Sequence, residues 1–138
     1  SRRAENIGHV KTLLGRKCRF NMFEPRDRKD IPLRLEEAKQ QYGGNLRRAF
    51  TYRAFNRLIQ GSAADMTKKA MLDLWKEGIV PHIQVHDELD ISVKNEQETR
   101  IITELMENCV KLSLPIKVDS ELGSNWGNAT QTPQQFWS

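Results

Sequence analysis

The sequence has little cysteine and no long apolar run, and each shortage excludes a class of protein. Its 138 residues include two cysteines, Cys18 and Cys109, which lie far apart and have no partner at metal-ligand spacing. This excludes a disulfide-rich scaffold and a zinc finger, and it indicates reduced cysteines. No stretch approaches the ~18 apolar residues of a spanning helix, and no secretory signal follows Ser1. We therefore expect an intracellular, cytoplasmic protein without a membrane segment.

Positive charge dominates one end of the chain. Residues 1–60 carry 15 Lys and Arg against 6 Asp and Glu, a balance of +9, whereas residues 61–138 carry 7 against 12, a balance of −5. A basic half suits a polyanion such as nucleic acid, and an acidic half can hold divalent cations. A solvated surface without a partner explains the asymmetry equally well. At ~100–200 residues per domain, we expect residues 1–138 to form a single domain.

Hydrophobic periodicity predicts an α+β fold. An antiparallel sheet with a β-hairpin would be covered on one face by two long helices. Residues 21–34 are predicted to be a loop, and Gly61-Ser62 leaves open whether the first long helix is one helix or two. The predicted elements are a strand at 17–20 after a turn at Gly15, a helix at 35–42, a helix at 47–77, a hairpin at 82–93, a helix at about 96–113 capped by Asn95, and a strand at 116–122.

The tip of the predicted hairpin carries two adjacent carboxylates, Asp87 and Glu88. Hydrophobic alternation favours a three-residue loop, His86-Asp87-Glu88, with Val85 facing Leu89 and Ile83 facing Ile91. Carboxylate oxygens on a rigid turn are what Mg²⁺ prefers, although an ordinary polar turn also contains Asp.

A polar helix face follows from the spacing of Arg53, Asn56, Arg57 and Gln60 at steps of three and four residues. Such side chains can contact phosphates and base edges. A solvated helix face is the alternative interpretation.

Four ordered segments resemble family A DNA polymerases, the DNA polymerase I type. The most specific is RAFNRLIQGSAADMTKKAM (Arg53–Met71), followed by QVHDEL (Gln84–Leu89), which resembles the V-H-D-E pattern of motif C. GHVKTLLGRKCRF near the start and LPIKVDSELGSNW near the end agree in order. The resemblance covers about residues 8–128.

The resemblance implies roles for individual residues. Asp87 matches the motif C aspartate that binds the catalytic metals, two Mg²⁺ ions in the complete active site, and Glu88 matches its less essential neighbour. His86 matches a residue beside the primer terminus. Arg53, Asn56 and Gln60 match side chains that line the primer–template DNA. Asp119, on the predicted last strand, is an alternative metal ligand that the resemblance does not support.

The resemblance also implies what this chain needs. The family's first catalytic motif, motif A, and its fingers, which bind the dNTP, lie upstream of the matched stretch, and the thumb and exonuclease also lie outside it. We therefore expect the C-terminal portion of a palm, either an excised fragment or the product of a split gene, inactive without the upstream polymerase half. Two alternatives are a non-catalytic nucleic-acid-binding module and a metal-dependent phosphoesterase built on Asp87 and Glu88.

Overall fold

The computed structural model describes residues 2–138 as a mixture of helices and short strands. The helices are α1 (Arg2–Ile7), α2 (Leu35–Tyr42), α3 (Ala54–Lys76), α4 (Glu96–Asn108) and α5 (Pro133–Phe136). The strands are β1 (His9–Lys11), β2 (Lys17–Arg19), β3 (Met22–Pro25), β4 (Leu33–Arg34), β5 (Leu46–Arg48), β6 (Ile83–Val85) and β7 (Glu88–Asp90). No helix within this described part is long and apolar enough to cross a bilayer.

The chain divides into two compact units, unit 1 ending at Asp65 and unit 2 beginning at Met66. Unit 1 contains the hairpin β1–β2 and an antiparallel sheet of order β4-β3-β5, and unit 2 contains the hairpin β6–β7. The predicted α+β class is confirmed. The strands form three small sheets instead of one, because strands of two to four residues offer few ladder hydrogen bonds for a wider sheet. The prediction of a single domain stays a prediction.

The core of unit 1 is small and centres on one aromatic ring. Phe20 is buried together with Ala4 of α1 and Ala54 of α3, and Val10 and Phe50 pack against this cluster. The small alanine side chains allow both helices to approach the ring closely. Burying one such aromatic side chain contributes ~1.5–3 kcal/mol, so Phe20 is a major stabilising contact of this unit.

Arg48 of β5 ties the start of the chain to the strands of unit 1. Its guanidinium donates to the backbone oxygens of Glu5 at 3.2 Å and Phe20 at 3.0 Å, and it lies 4.9 Å from the centre of the Phe23 ring. Gly8 makes this approach possible. It has φ +74°, and a Cβ there would lie 2.7 Å from Arg48 Cζ, so only glycine fits without a shift.

The loop of the β1–β2 hairpin is clamped onto α3. Arg16 donates from Nε to Asp65 Oδ1 at 2.8 Å and from Nη2 to the backbone oxygen of Gly61 at 2.9 Å. The backbone N–H of Leu13 donates to Ser62 Oγ at 3.0 Å. These bonds join two segments that are almost 50 residues apart in sequence, and they fix the hairpin against the helix.

Helix α3 runs without a break through Gly61 and Ser62. The alternative in which Ser62 begins a second helix is wrong, because its hydroxyl donates back to Leu58 O at 2.7 Å within the helix. The helix also begins later than predicted, at Ala54. Residues 46–48 form β5 and Thr51–Arg53 form a 3-10 turn. Phe50 has φ +62° between them, a conformation that a helix cannot contain.

The helix predicted after Asn95 is present in unit 2 as α4, and its cap is confirmed, but its end differs from the prediction. Asn95 caps α4 by accepting from the backbone N–H of Glu98 at 2.9 Å, as predicted. The helix ends at Asn108, earlier than expected, where the Asn108 side chain donates to Glu104 O and competes with the helical pattern.

Two further element predictions are wrong. The segment 116–122 is not a strand, because side chains of α4 bind it instead of a neighbouring strand. The backbone N–H of Val118 donates to Glu107 Oε1, and Ser120 Oγ lies 3.3 Å from Thr103 Oγ1. Residues 21–34 are not wholly loop, because they contain β3 and β4. Pro25 stands at the end of β3 and Pro32 outside β4, positions where a missing N–H is tolerated. The turn at Gly15 and helix α2 at 35–42 are confirmed.

Replacing Gly61 by alanine is expected to destabilise the chain slightly or leave it unchanged. In an open helix, Gly→Ala gains about 1 kcal/mol from helix propensity. Here the new Cβ would lie 2.8 Å from Cγ2 of the buried Thr12, and such overpacking costs ~1–3 kcal/mol. The free energy of unfolding, measured by denaturant titration, should therefore fall by 0 to ~2 kcal/mol.

The control for this measurement is Ala64→Gly, at an exposed position of the same helix. It should cost about 1 kcal/mol from propensity alone. A stabilisation of the full propensity value by Gly61→Ala would show that the β1–β2 loop does not press on the helix.

Candidate active site

The β6–β7 hairpin closes with a two-residue turn, His86-Asp87. The register pairs Val85 with Glu88, Gln84 with Leu89 and Ile83 with Asp90. The predicted three-residue loop, with Val85 facing Leu89 and Ile83 facing Ile91, is therefore wrong. His86 adopts φ +55°, and a positive φ at the first turn residue is what a tight hairpin turn requires.

Exposure explains why alternation failed to predict this register. Ile83 and Val85 remain 41% and 39% exposed, and their strand buries no side chain. A buried face normally fixes register, because a slip would move every apolar side chain into water. Strand β6 has no buried face, so the turn geometry at His86 decides how the two strands pair.

Asp87 and Glu88 lie next to each other at the tip, and both are exposed. Asp87 is the second turn residue and Glu88 begins β7, on the face that also carries Val85. Among the described residues, neither carboxylate takes part in an ion pair with lysine or arginine. Their oxygens are therefore accessible to a cation from solvent.

The hairpin contributes carboxylates but not a full set of metal ligands. Within residues 2–138, no three His, Cys, Asp or Glu side chains are grouped closely enough to hold an ion. Asp90, which the sequence did not single out, lies two residues after Glu88 and shares its face of β7. The backbone oxygen of His86 accepts from Gln84 Nε2 at 2.8 Å, which braces the turn from within the strand.

The polar residues around the start of α3 form the second group of predicted site residues. Arg53 ends the 3-10 turn, and Asn56 and Gln60 lie four residues apart on one side of α3, all three exposed. This group belongs to unit 1, whereas His86, Asp87 and Glu88 belong to unit 2. Arg57 is also exposed, and its guanidinium lies 5.2 Å from the centre of the Phe20 ring.

Arg53 is positioned by two aromatic neighbours that the sequence prediction missed. Its guanidinium lies 5.2 Å from the Phe50 ring centre and 5.3 Å from that of Tyr52, and its Nε donates to Tyr52 Oη at 3.0 Å. The signal was available in the string F-T-Y-R, where aromatic residues precede a cation. Stacking of this kind limits the freedom of the side chain before any ligand binds.

Two titratable groups of unit 2 lie outside the hairpin. A hydrogen bond from Lys69 holds the pKa of Asp73 below its usual value, with Lys76 adding to the effect. Asp73 lines an acidic groove of about 410 Å³ together with Glu77 and Glu104. Burial raises the pKa of the Cys109 thiol, and both cysteines are free, as predicted.

Comparison with known proteins decides the family. The model of "DNA polymerase family A" matches residues 1–128, a range that contains both the α3 residues and the hairpin tip. The chain belongs to DNA polymerase family A. The resemblance seen in the sequence is thereby confirmed.

Individual members of family A are similar over most of the chain. A DNA-directed DNA polymerase of Pseudomonas phage M6 is 39% identical over 127 residues, covering 92% of this chain and 16% of the relative. The thermostable DNA polymerase I of Thermus filiformis is 33% identical over 131 residues, covering 90% and 14%. DNA polymerase I of Bacillus caldotenax is 45% identical over 92 residues, covering 59% and 10%. The chain thus spans at most about a sixth of the length of these relatives.

We expect the turn to tolerate glycine and to reject a β-branched residue at position 86. The left-handed conformation costs ~1–2 kcal/mol for ordinary residues and is worst for β-branched ones. His86→Val should therefore speed hydrogen exchange of the His82 amide, which donates to Asp90 O across the hairpin, by ~5–30-fold.

His86→Gly is the matched variant, and its exchange rate should stay within about threefold of wild type, since glycine adopts positive φ at little cost. Equal exchange rates in the valine and glycine variants would show that the turn does not need the left-handed conformation.

Proposed function

We propose that this chain is part of the palm of a DNA-directed DNA polymerase, in which it contributes a metal-binding aspartate and contacts to primer–template DNA. The observation that carries the proposal is the pair Asp87-Glu88, exposed at the tip of a tight hairpin in a member of family A. Asp87 is the proposed metal ligand and catalytic residue, with Glu88 in a secondary role. The substrates are primer–template DNA and dNTP.

The chemistry of the hairpin tip fits Mg²⁺. This ion prefers carboxylate oxygens and keeps several waters, which suits an exposed site better than a buried one. Asp87 and Glu88 offer such oxygens, and no described lysine or arginine neutralises them. When bound, two Mg²⁺ ions supply charge neutralisation around the phosphate, the primer 3′-oxygen and the leaving pyrophosphate.

The polar face of α3 fits the backbone and base edges of DNA. Arg53 presents a guanidinium that Phe50 and Tyr52 already orient, which lowers the entropy lost when it meets a phosphate. The amides of Asn56 and Gln60 can both donate and accept hydrogen bonds at a base edge. His86, next to Asp87 in the turn, is proposed to lie beside the primer terminus.

Turnover requires more of the polymerase than this chain. A two-metal site needs carboxylates from more than one segment, and the hairpin supplies the pair at one tip. We therefore propose that the chain acts together with a polypeptide that carries motif A and the fingers, and we call this combination the assembled polymerase. The chain alone should not extend a primer. Its proposed place of action is the bacterial or phage-infected cell.

In the assembled polymerase, Asp87→Asn should reduce nucleotide incorporation by ~10³-fold, the equivalent of several kcal/mol of lost charge stabilisation. Asparagine keeps the size and turn preference of aspartate and removes only the charge, so DNA affinity should change little. Single-turnover incorporation and duplex binding are measured side by side. Glu88→Gln should cost less than Asp87→Asn.

The matched control is Asp119→Asn, which removes an exposed carboxylate elsewhere in unit 2 and also tests the alternative ligand. It should leave incorporation unchanged. If Asp87→Asn keeps the wild-type rate at saturating Mg²⁺, the catalytic role of the hairpin is wrong. Duplex binding without incorporation in every assembled form would instead support the non-catalytic module.

Loss of one polar side chain on α3 should weaken use of a primed template. We expect Arg53→Ala and Gln60→Ala each to raise the Kd for primed duplex ~5–150-fold, the ~1–3 kcal/mol of a good contact. Both side chains are exposed, so the melting temperature should fall little. Gln40→Ala, on the exposed side of α2, is the control, and unchanged affinity in the α3 variants would contradict the proposal.

A further inference from the structure

A cavity within unit 1 is lined mainly by basic and apolar side chains. Its volume is about 350 Å³, at the lower end of the ~300–1,000 Å³ of small-molecule sites. All of its lining residues belong to unit 1, and none of them has a role in the proposed function. Glu5 is the one carboxylate among the described lining residues, against four cations: Arg26, Lys39, Arg47 and Arg48. We call this the basic cavity.

The walls of the basic cavity come from the β4-β3-β5 sheet and from α2. The register places Phe23 directly opposite Arg48, and Leu46 lies two residues before Arg48 on β5, so the three share one face of the sheet. Leu35 and Lys39 line the cavity from α2, where residues four apart lie on the same side of a helix. The cavity therefore combines apolar surface with positive charge.

Arg26 is the cation best placed to hold an anion. Its backbone N–H donates to Asn45 O at 3.1 Å and its Nε donates to Leu46 O at 3.0 Å, so the side chain is fixed beside β5. Among the described residues, Arg26 forms no ion pair. The bond through Nε leaves Nη1 and Nη2 for a ligand. A guanidinium matches the oxygens of a phosphate, and one that is already fixed loses less entropy on binding.

Two further cations add positive charge at the cavity. Arg48 has its donors engaged by the backbone oxygens of Glu5 and Phe20, so it supplies charge to the cavity but few hydrogen bonds. Lys39 pairs with Glu36 at 3.1 Å, and both side chains are exposed. Such surface pairs are weak, so the Lys39 ammonium can turn to a stronger anion.

The remaining walls favour an organic phosphate over a bare anion. Leu35 is 38% exposed and Leu46 is half-buried, and an apolar part of a ligand would remove both from water. The side-chain amide of Asn6 also lines the cavity, and an amide can both donate to and accept from the edge of a nucleobase.

We propose that the basic cavity binds a nucleoside monophosphate. Arg26 and Lys39 hold the phosphate, with the charge of Arg48 beside it, and the base packs against the apolar walls near Asn6. The volume suits one nucleotide and not a longer strand. The site goes beyond the proposed function, because binding here needs neither the hairpin tip nor the polar face of α3.

The test is calorimetric titration of adenosine 5′-monophosphate (AMP) into the assembled polymerase, without DNA and with EDTA. EDTA removes divalent ions, so the nucleotide cannot be held through the proposed metal site. The variant Arg26→Gln removes the charge that holds the phosphate. Its matched control is Arg34→Gln, which removes an exposed arginine of unit 1 that does not line the cavity.

Wild type and the control should bind AMP with the same Kd, and Arg26→Gln should raise that Kd ~10–150-fold, the effect of losing a charged hydrogen bond. Adenosine and inorganic phosphate should each bind more weakly than AMP, because each lacks half of the contacts.

A second variant, Gly44→Leu, keeps every charge and fills the space instead. Gly44 lines the cavity, and a Cβ there would meet no atom within 4 Å. The melting temperature should therefore stay near that of wild type, while AMP binding weakens about 10-fold or more, as expected for a ligand excluded from its site.

The inference is overturned if wild type does not bind AMP, or if either Arg26→Gln or Gly44→Leu keeps the wild-type Kd. Inorganic phosphate that binds as tightly as AMP would contradict a nucleoside ligand. Displacement of AMP by a primed duplex would assign the cavity to DNA and would also overturn the inference. None of these results depends on nucleotide incorporation, so the proposed role of Asp87 fails or stands in a separate measurement.

Discussion

The ion pair between Arg16 and Asp65 determines how unit 1 presents its polar surfaces. Asp65 is a nearly buried carboxylate, and an unpaired charge in that position would cost several kcal/mol. Its pairing at 2.8 Å, with the bond from Arg16 to Gly61 O, fixes the β1–β2 hairpin on α3. The hairpin and the polar side chains at the start of α3 then belong to one rigid unit. Glycine at position 61 is the steric condition for this contact.

The β6–β7 hairpin follows a different physical rule. No buried face holds its register, and the left-handed residue His86 sets the turn that brings Asp87 and Glu88 to the tip. Exposed strands of this kind leave both carboxylates open to solvent. Val85 and Ile83 are 39% and 41% exposed, which is high for β-branched side chains in a strand. The buried contacts of unit 1 and the exposed carboxylates of the hairpin thus involve different residues of the chain.

Local signals in the sequence predicted the elements that local interactions determine. The Asn95 cap, the turn at Gly15 and the end of α2 at Gly43 depend on residues within one turn of each other, and all three were predictable. The hairpin register was not, because alternation assumes a buried face that this hairpin does not have. The strand predicted at 116–122 failed for a related reason: its backbone is engaged by the side chain of Glu107 on α4, a contact between distant residues. The family was recognisable from side-chain identity, whereas the roles of Arg53, Asn56, Gln60, His86, Asp87 and Glu88 remain predictions.

Arg48 shows that the charge of a chain and its attraction for polyanions are separate quantities. Its guanidinium is engaged by two backbone oxygens and the Phe23 ring, and the guanidinium of Arg16 is likewise engaged by Asp65 and by Gly61 O within unit 1. These arginines add to the net charge of +4 but act as internal cross-links, with their hydrogen-bonding directions already committed. Changing such a residue would alter the isoelectric point by the same amount as changing Arg26, yet it would disturb folding instead of binding. A map of which cations are free is therefore a better guide to the surface chemistry of this protein than its total charge.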